Sequence, residues 1–480
     1  MPKFVFLWTD VAIWALVLAL VAYGVFVVRS PGLARNWRRV FGDAAALASS
    51  VVLLLCLLVT LLDSVHYRRV LPAAAGAAAD AAVAYDVRTV SLLDAALSRQ
   101  VASREASYSR PLAYLGFMKE SVEVNGKVER VPPRLVHGGA HLQDPPSQWL
   151  GDIGWRATMG ALAGLLFTVL LAALAAAVLA RHRKQAWQTT LRSMLRSEGA
   201  IPWHVAVWTI AVLSVLIGAT VALMAHYHVF GTDRTGNDVL YQALKSIRTA
   251  FVIGTLATVA TLPLAVGLGI LAGYFKGWVD EAIQYLYTVL SSVPNVLLIA
   301  ACVLMVQVFL DKHPELFETG VERADLKLFL LCLVLGLTGW AGLCRLLRGE
   351  TLKLRELEYV QAATAFGVSH LRIMVRHIFP NVAHLMLIKT VLDFSSLILY
   401  EAVLSYVGVG VDPSMNSFGG MINLARNEMS LDPVVWWSFA AAFGFMVTLV
   451  LAANLFADGV RDAFDPRASV FRARLKRVVS

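Results

Sequence analysis

The chain is 480 residues long, 58% hydrophobic and only 16% charged, with a mean hydropathy of +0.65. Soluble domains carry about 25% charged residues, so this composition marks an integral membrane protein. It excludes a single soluble enzyme domain, a disordered tail and a disulfide scaffold. The formal net charge is +9, from 42 Lys and Arg against 33 Asp and Glu. A basic chain can bind nucleic acid, but membrane proteins gather Lys and Arg in cytoplasmic loops. The positions of the charges decide between the two.

A spanning helix needs about 20 mostly apolar residues. In chain order, about nine runs meet this requirement. They are Val11–Val28, Ala44–Leu62, Ala157–Ala180, Val205–Met224, Ala250–Tyr274, Ala282–Leu310, Leu328–Leu347, Val382–Leu404 and Val435–Phe456. The fold class is therefore an all-α polytopic membrane protein. Pro263 falls in the fifth run and Pro294 in the sixth, so kinks or breaks are expected there. The first run is followed by basic residues, a stop-transfer flank rather than a signal-peptide cleavage site. Cys56, Cys302, Cys332 and Cys344 lie in or beside apolar runs, without metal-ligand spacing. That argues against a zinc site or a disulfide framework.

Orientation follows from the short loops. Arg29, Arg35, Arg38 and Arg39 follow the first run, and Arg181, Arg183, Lys184, Arg192 and Arg196 follow the third. Both loops are expected in the cytoplasm. Alternation then places the N-terminus outside and the C-terminus inside. The loop from Leu347 to Asn381 falls inside, with the tail carrying Arg472, Arg474, Lys476 and Arg477. The loop with Asp311, Glu315, Glu318, Glu322 and Asp325 falls outside. Topology thus accounts for the +9 charge, and nucleic acid is not needed as a partner. The stretch Asp63–Arg156 is long, polar and external. Its alanine-rich Leu71–Val83 reads as helix. Val122–Val131 alternates around Asn125-Gly126, a hairpin signal.

Nucleotide and hydrolase motifs are absent. There is no G-x-x-x-x-G-K-[ST] loop, H-E-x-x-H or G-x-S-x-G. No catalytic residue, cofactor or metal is expected in this chain. Gly267-x-Gly269-x-x-x-Gly273 lies in an apolar run, where small residues allow close helix packing. His137 and His141 are four apart, and His226 and His228 two apart. Solvated or structural histidines account for them, because a metal would need further ligands. Lys389 and Asp393 are spaced i,i+4 in the eighth run, with Glu401 beyond. Such charges are costly in lipid and face a cavity or a partner. Mutual pairing with contact to a partner subunit and lining of a translocation path both remain open.

The stretch Thr351–Pro380 is amphipathic and has no bilayer role. Leu357–Phe366 suits a helix, Gly367 the left-handed position after its end, and Ser369 an N-cap for Leu371–Ile378. Pro380 then turns the chain into the next span. Ala362 and Ala363 leave one surface smooth and small. That surface suits a groove on another protein, or else a helix lying on the membrane.

This stretch, Leu357-Glu-Tyr-Val-Gln-Ala-Ala-Thr-Ala-Phe-Gly-Val-Ser-His-Leu-Arg-Ile-Met-Val-Arg-His-Ile-Phe-Pro-Asn381, resembles the E-A-A loop of ABC importer permeases. The wider chain resembles the dipeptide, oligopeptide and nickel subfamily. Phe230-Gly-Thr-Asp-Arg-Thr-Gly-Asn-Asp-Val239 is similar to an external family segment, through Gly231, Thr232, Asp233, Gly236 and Asp238. Ala272–Asp280, Glu401–Gly410 and Asn454–Pro466 match further family blocks, in the same order. The resemblance covers Val205–Arg467. Gln361 stands where the family usually has Glu, and Phe379 where it has Leu. The glutamine removes a charge from the loop surface.

The resemblance implies a subunit of an inner-membrane importer. Its partners would be a second homologous permease, two cytoplasmic ATPases and an external binding protein, all around a lipid bilayer. Glu358, Tyr359, Gln361, Ala362, Ala363, Gly367, Arg376 and Pro380 would form the ATPase-coupling loop. Peptides are preferred to nickel because no His/Cys/Asp cluster lines a span. The expected layout is two N-terminal spans (1–62), an external domain (63–156), a third span with basic linker (157–204), a six-helix permease core (205–467) and a basic tail (468–480). An ion-driven secondary transporter would need matched broken helices in two halves. A membrane enzyme would need an active site in the external domain.

Overall fold

The computed structural model describes residues 2–71, 85–124, 127–184, 186–196 and 201–464. A short strand, β1 (Lys3–Val5), leads into α1 (Trp8–Arg29), α2 (Pro31–Val40) and α3 (Ala44–Asp63). The polar stretch follows as β2 (His66–Val70), β3 (Tyr85–Ser91), α4 (Leu92–Ala96), α5 (Ser98–Ala102) and the hairpin β4 (Glu120–Val124) and β5 (Lys127–Val131). Val124 pairs with Lys127, as the Asn-Gly signal requires. The alanine-rich segment 72–84 lies outside the described residues.

Next come α6 (Pro145–Arg183), α7 (Trp187–Arg196) and α8 (Trp203–Met224). The remainder is α9 (Val239–Phe275), α10 (Gly277–Ser292), α11 (Asn295–Lys312), α12 (Gly320–Gly339), α13 (Ala341–Arg355), α14 (Glu358–Ala365), α15 (His370–Ile373), α16 (Phe379–Tyr406), α17 (Phe418–Glu428) and α18 (Trp437–Phe464). Among the described residues, 8 helices are long and apolar enough to cross a membrane, or 9 if α12 and α13, bent by 41°, form one span. The count agrees with the apolar runs, but the boundaries do not. α6 begins at Pro145 and α9 at Val239, each well before its apolar run. Their first turns are polar but still helical.

Of the two breaks expected at prolines, the one at Pro294 is present and the one at Pro263 is not. The helix is continuous through Pro263. The run Ala282–Leu310 is not one helix: it breaks between Ser292 and Asn295, at Pro294. Proline at 294 lacks the N–H that would continue the ladder, and it opens the new helix instead.

The first three spans do not stand apart from the rest. α3 packs on α9 and α18, α1 on α12, and α6 on α8. The last contact is backbone to backbone. A Cβ on Gly164 would lie 2.0 Å from the Ser214 carbonyl oxygen, and one on Gly218 would lie 2.2 Å from that of Gly160. Only glycine permits such an approach, the small-residue packing of membrane helices. Gly269 and Gly273 do the same against Cys344 and Thr351 of α13.

Candidate functional site

Two ends of the molecule carry the singled-out residues. At one end, α14 and α15 form a helix-turn-helix at the foot of α9, α13 and α16. Gly367 has φ +71°. Its N–H donates to Thr364 O at 3.0 Å and that of Val368 to Ala363 O at 3.1 Å, which closes the helix with a Schellman motif. Ser369 occupies the N-cap of α15, but its side chain makes no capping bond. The second helix does not stop before Pro380. It passes through a π-helical turn, Met374–Ile378, into α16. Pro380 has no N–H for a partner four residues back, and the wider turn ahead of it accommodates that loss.

The loop is held from one side only. Val360, Ile373 and Ile378 are buried in a cluster with Tyr274 and Leu347. Tyr274 Oη lies 2.8 Å from His370 Nδ1, Arg355 Nη1 donates to Tyr274 O at 2.6 Å, and Lys276 pairs with Glu356 at 2.7 Å. The opposite side is bare. Phe366 is 87% exposed and Leu371 69%. Glu358, Tyr359, Gln361, Ala362, Arg376 and Pro380 are exposed too, and Ala363 is half-buried. Gln361 donates to Glu356 O at 3.3 Å, a bond that a carboxylate cannot make. Asn381 Nδ2 donates to Tyr359 Oη at 3.2 Å.

The other end is a seam between the polar domain and the segment Gly231–Asp238. Gly231 and Gly236 adopt φ +71° and +76°, and a Cβ on Gly236 would sit 1.8 Å from Glu105 O. Thr232 Oγ1 accepts from Ser109 N at 2.7 Å. Asp233 accepts from the N–H groups of Thr235 and Asn237, and Asp238 caps α9 at Tyr241 N. His228 sits between Asp238, at 2.7 Å, and Glu105, at 3.5 Å. Burial opposes its charge, but these two carboxylates outweigh it and push its pKa up to about 9. Burial would raise Glu105. Hydrogen bonds from His228 and the N–H groups of His137, Val136 and Gly138 pull it down to about 2. His141 is likewise held by Asp152 at 2.8 Å.

Sequence reading passed over the charges that join the first spans to the rest. Arg248 Nη2 reaches Asp10 of α1 at 2.6 Å and Asp325 of α12 at 3.5 Å. Asp10 also meets His66 at 2.7 Å. One turn earlier, Lys245 pairs with Asp63 and Asp94, each at 2.8 Å. The signal was present, since Lys245 and Arg248 are charges i,i+3 ahead of an apolar run. Arg68 binds Glu322 at 2.9 Å, so the polar domain, the segment 231–238 and the 311–325 loop share one side. In α16, Lys389 pairs with Asp393 of the same helix. Glu401 is 1% exposed, accepts from Ser405 Oγ at 2.6 Å and abuts Gly419 of α17.

Residues 265–470 match the family model described as binding-protein-dependent transport system inner membrane component. The chain is 33% identical over 245 residues to the oligopeptide transport system permease protein OppC of Mycobacterium bovis, covering 51% of this chain and 78% of that one. It is 31% identical over 244 residues to the dipeptide transport system permease protein DppC of Lactococcus lactis subsp. cremoris, covering 50% and 64%. An inward-facing structure of the MetNI methionine ABC transporter covers 47% of this chain and 96% of its own, at 16% identity and a TM-score of 0.34, too slight a likeness to carry an argument. The matched stretch coincides with the helices that hold the exposed loop. This chain belongs to the family of inner-membrane components of binding-protein-dependent transport systems.

Proposed function

We propose that this chain is the permease subunit of an ABC importer for di- or oligopeptides, and that it forms half of the translocation path. The names of the relatives support the substrate class. Its partners are a second permease, two cytoplasmic ATPases and an external binding protein. The seam with Gly231–Asp238 faces outside and the loop 351–380 faces the cytoplasm, with the N-terminus outside and the C-terminus inside. Residues 205–467 form the core. The three earlier spans and the domain 63–156 brace its outer end.

One observation carries the reading: the loop exposes an apolar face while its other face is fixed to α9, α13 and α16. Burial of Val360 and Ile373 makes loop and spans one body. An ATPase cleft that closes around Phe366 therefore shifts those spans. ATP acts by favouring one global state over the other, and this chain supplies the mechanical link.

Gly367→Val tests the link. No heavy atom lies within 4 Å of the added Cβ, so the cost comes only from the positive φ. We expect peptide uptake by cells to be lost while the chain stays at its normal level in the membrane. Normal uptake by that variant would overturn the coupling role.

A further inference from the structure

The two helix breaks, Ser292–Asn295 and Gly339–Ala341, come together around one polar cleft of about 480 Å³. Ser291, Ser292, Asn295, Gly342 and Arg345 line it, and all five are exposed in this chain. Its depth can be read from α9. Gly339 faces Thr261, with an added Cβ 3.9 Å from that hydroxyl. From 248 to 261 is 13 residues, roughly 20 Å at 1.5 Å per residue. Arg248 binds Asp10 in the first turn of α1, which marks one edge of a hydrocarbon layer about 30 Å thick. The cleft therefore lies within the layer.

Lipid cannot cover it. Interrupted helices at this depth expose backbone groups that hydrocarbon leaves unsatisfied, so such breaks face water or protein. Arg345 sharpens the point. A basic side chain near a membrane edge ordinarily snorkels outward to water. Arg345 instead reaches back to the break, where Nη2 donates to Ser291 Oγ at 3.3 Å, and its guanidinium lies 5.2 Å from the Tyr287 ring centroid. Neighbouring Arg348 is matched by Asp280 at 2.6 Å. Among the described residues Arg345 is in no ion pair with a carboxylate.

We infer that this cleft is a station on the translocation path, where Arg345 and Asn295 meet the carboxylate of the solute in transit. The guanidinium fits a carboxylate bidentately, and the serine hydroxyls and Asn295 replace its lost water. The assignment rests on the peptide reading for its substrate, because a peptide with a free C-terminus carries such a group.

The test uses the importer assembled with its partner subunits, and two peptides: trialanine, and trialanine with an amidated C-terminus. Arg345→Gln should cut trialanine uptake roughly tenfold relative to wild type, the effect of losing a charge-assisted hydrogen bond. Uptake of the amide should keep its wild-type rate. Arg345→Lys, which keeps the charge but loses the bidentate fit, should give trialanine uptake between that of Arg345→Gln and wild type. An equal fall for both peptides would overturn the site, since Arg345 would then serve a phospholipid phosphate or the sister subunit. No fall for either would overturn it too. Uptake of neither peptide by wild type would refute the peptide substrate instead. Ser292→Cys then decides the path separately, with open membrane fragments and a small charged thiol reagent. Labelling above the parent chain is expected, because its cysteines are buried or half-buried. No labelling in the assembled importer would overturn the cleft.

Discussion

The seam around Gly231–Asp238 and the loop 351–380 are built on opposite plans. At the seam, nearly every charge has a partner within the chain: Arg248 has Asp10 and Asp325, Lys245 has Asp63 and Asp94, His228 has Asp238 and Glu105. At the loop, Phe366 and Leu371 lie bare while Val360 and Ile373 are buried. A region that satisfies its own groups is a fixed frame. A region that leaves an apolar face open and holds it rigid offers a partner a surface to grip, as the proposed coupling role requires. Stability should therefore reside in the first and coupling in the second.

The largest effect on stability is expected from Arg248→Ala. It leaves buried Asp325 without a cationic partner among the described residues, while Asp10 keeps His66, and a buried pair that loses one member costs about 3–5 kcal/mol. The chain's level in membranes and its melting temperature in detergent should both drop. A variant as stable as wild type would break the division of labour. Phe366→Ala should do the reverse, with melting unchanged and ATPase retention during purification reduced roughly tenfold, as for an interface anchor. Equal ATPase retention would move the anchor elsewhere on the loop.

A smaller, graded effect should follow pH at the seam. His228 is raised from 6.5 to about 9, so its contribution is full below about 6.5 and lost as pH rises through about 9. Glu105 is lowered from 4.5 to about 2, so its contribution is full above about 4.5 and lost as pH falls through about 2. Resistance of the polar domain to proteolysis should therefore be greatest between these two ordinary values. His228→Gln should flatten the alkaline limb and also shrink the acid limb, because His228 helps hold Glu105 low. The smallest effect is expected from Gln361→Glu. Losing the exposed bond to Glu356 O should loosen residues 357–361 by about 1 kcal/mol or less. Faster amide exchange there is the readout, and unchanged exchange would show that the bond contributes nothing.

The loop was legible in sequence because its determinants are local: a glycine in the left-handed position, a helix on either side, a proline beyond. The spans were legible because burial in lipid demands about 20 apolar residues in a row. The seam was not. Glu105 binds N–H groups some thirty residues away, and Asp10 meets Arg248 across more than two hundred positions, with no spacing rule to announce either. Pro294 signalled a break, but nothing local showed that it would meet the break at Trp340. For Glu401 the sequence left both a path and a partner contact open, and nothing local announced its contacts with Ser405 and α17.

The π-helical turn at Met374–Ile378 has a geometric consequence. It inserts one residue into the helical register, and each residue turns the helix by about 100°. The azimuth of α14 and α15 is thereby set separately from that of α16. The loop can present Phe366 to a neighbour without rotating the face that α16 gives to α9 and α18. Removing or adding one residue there would leave both ends folded and aim them past each other, like gears whose teeth no longer mesh.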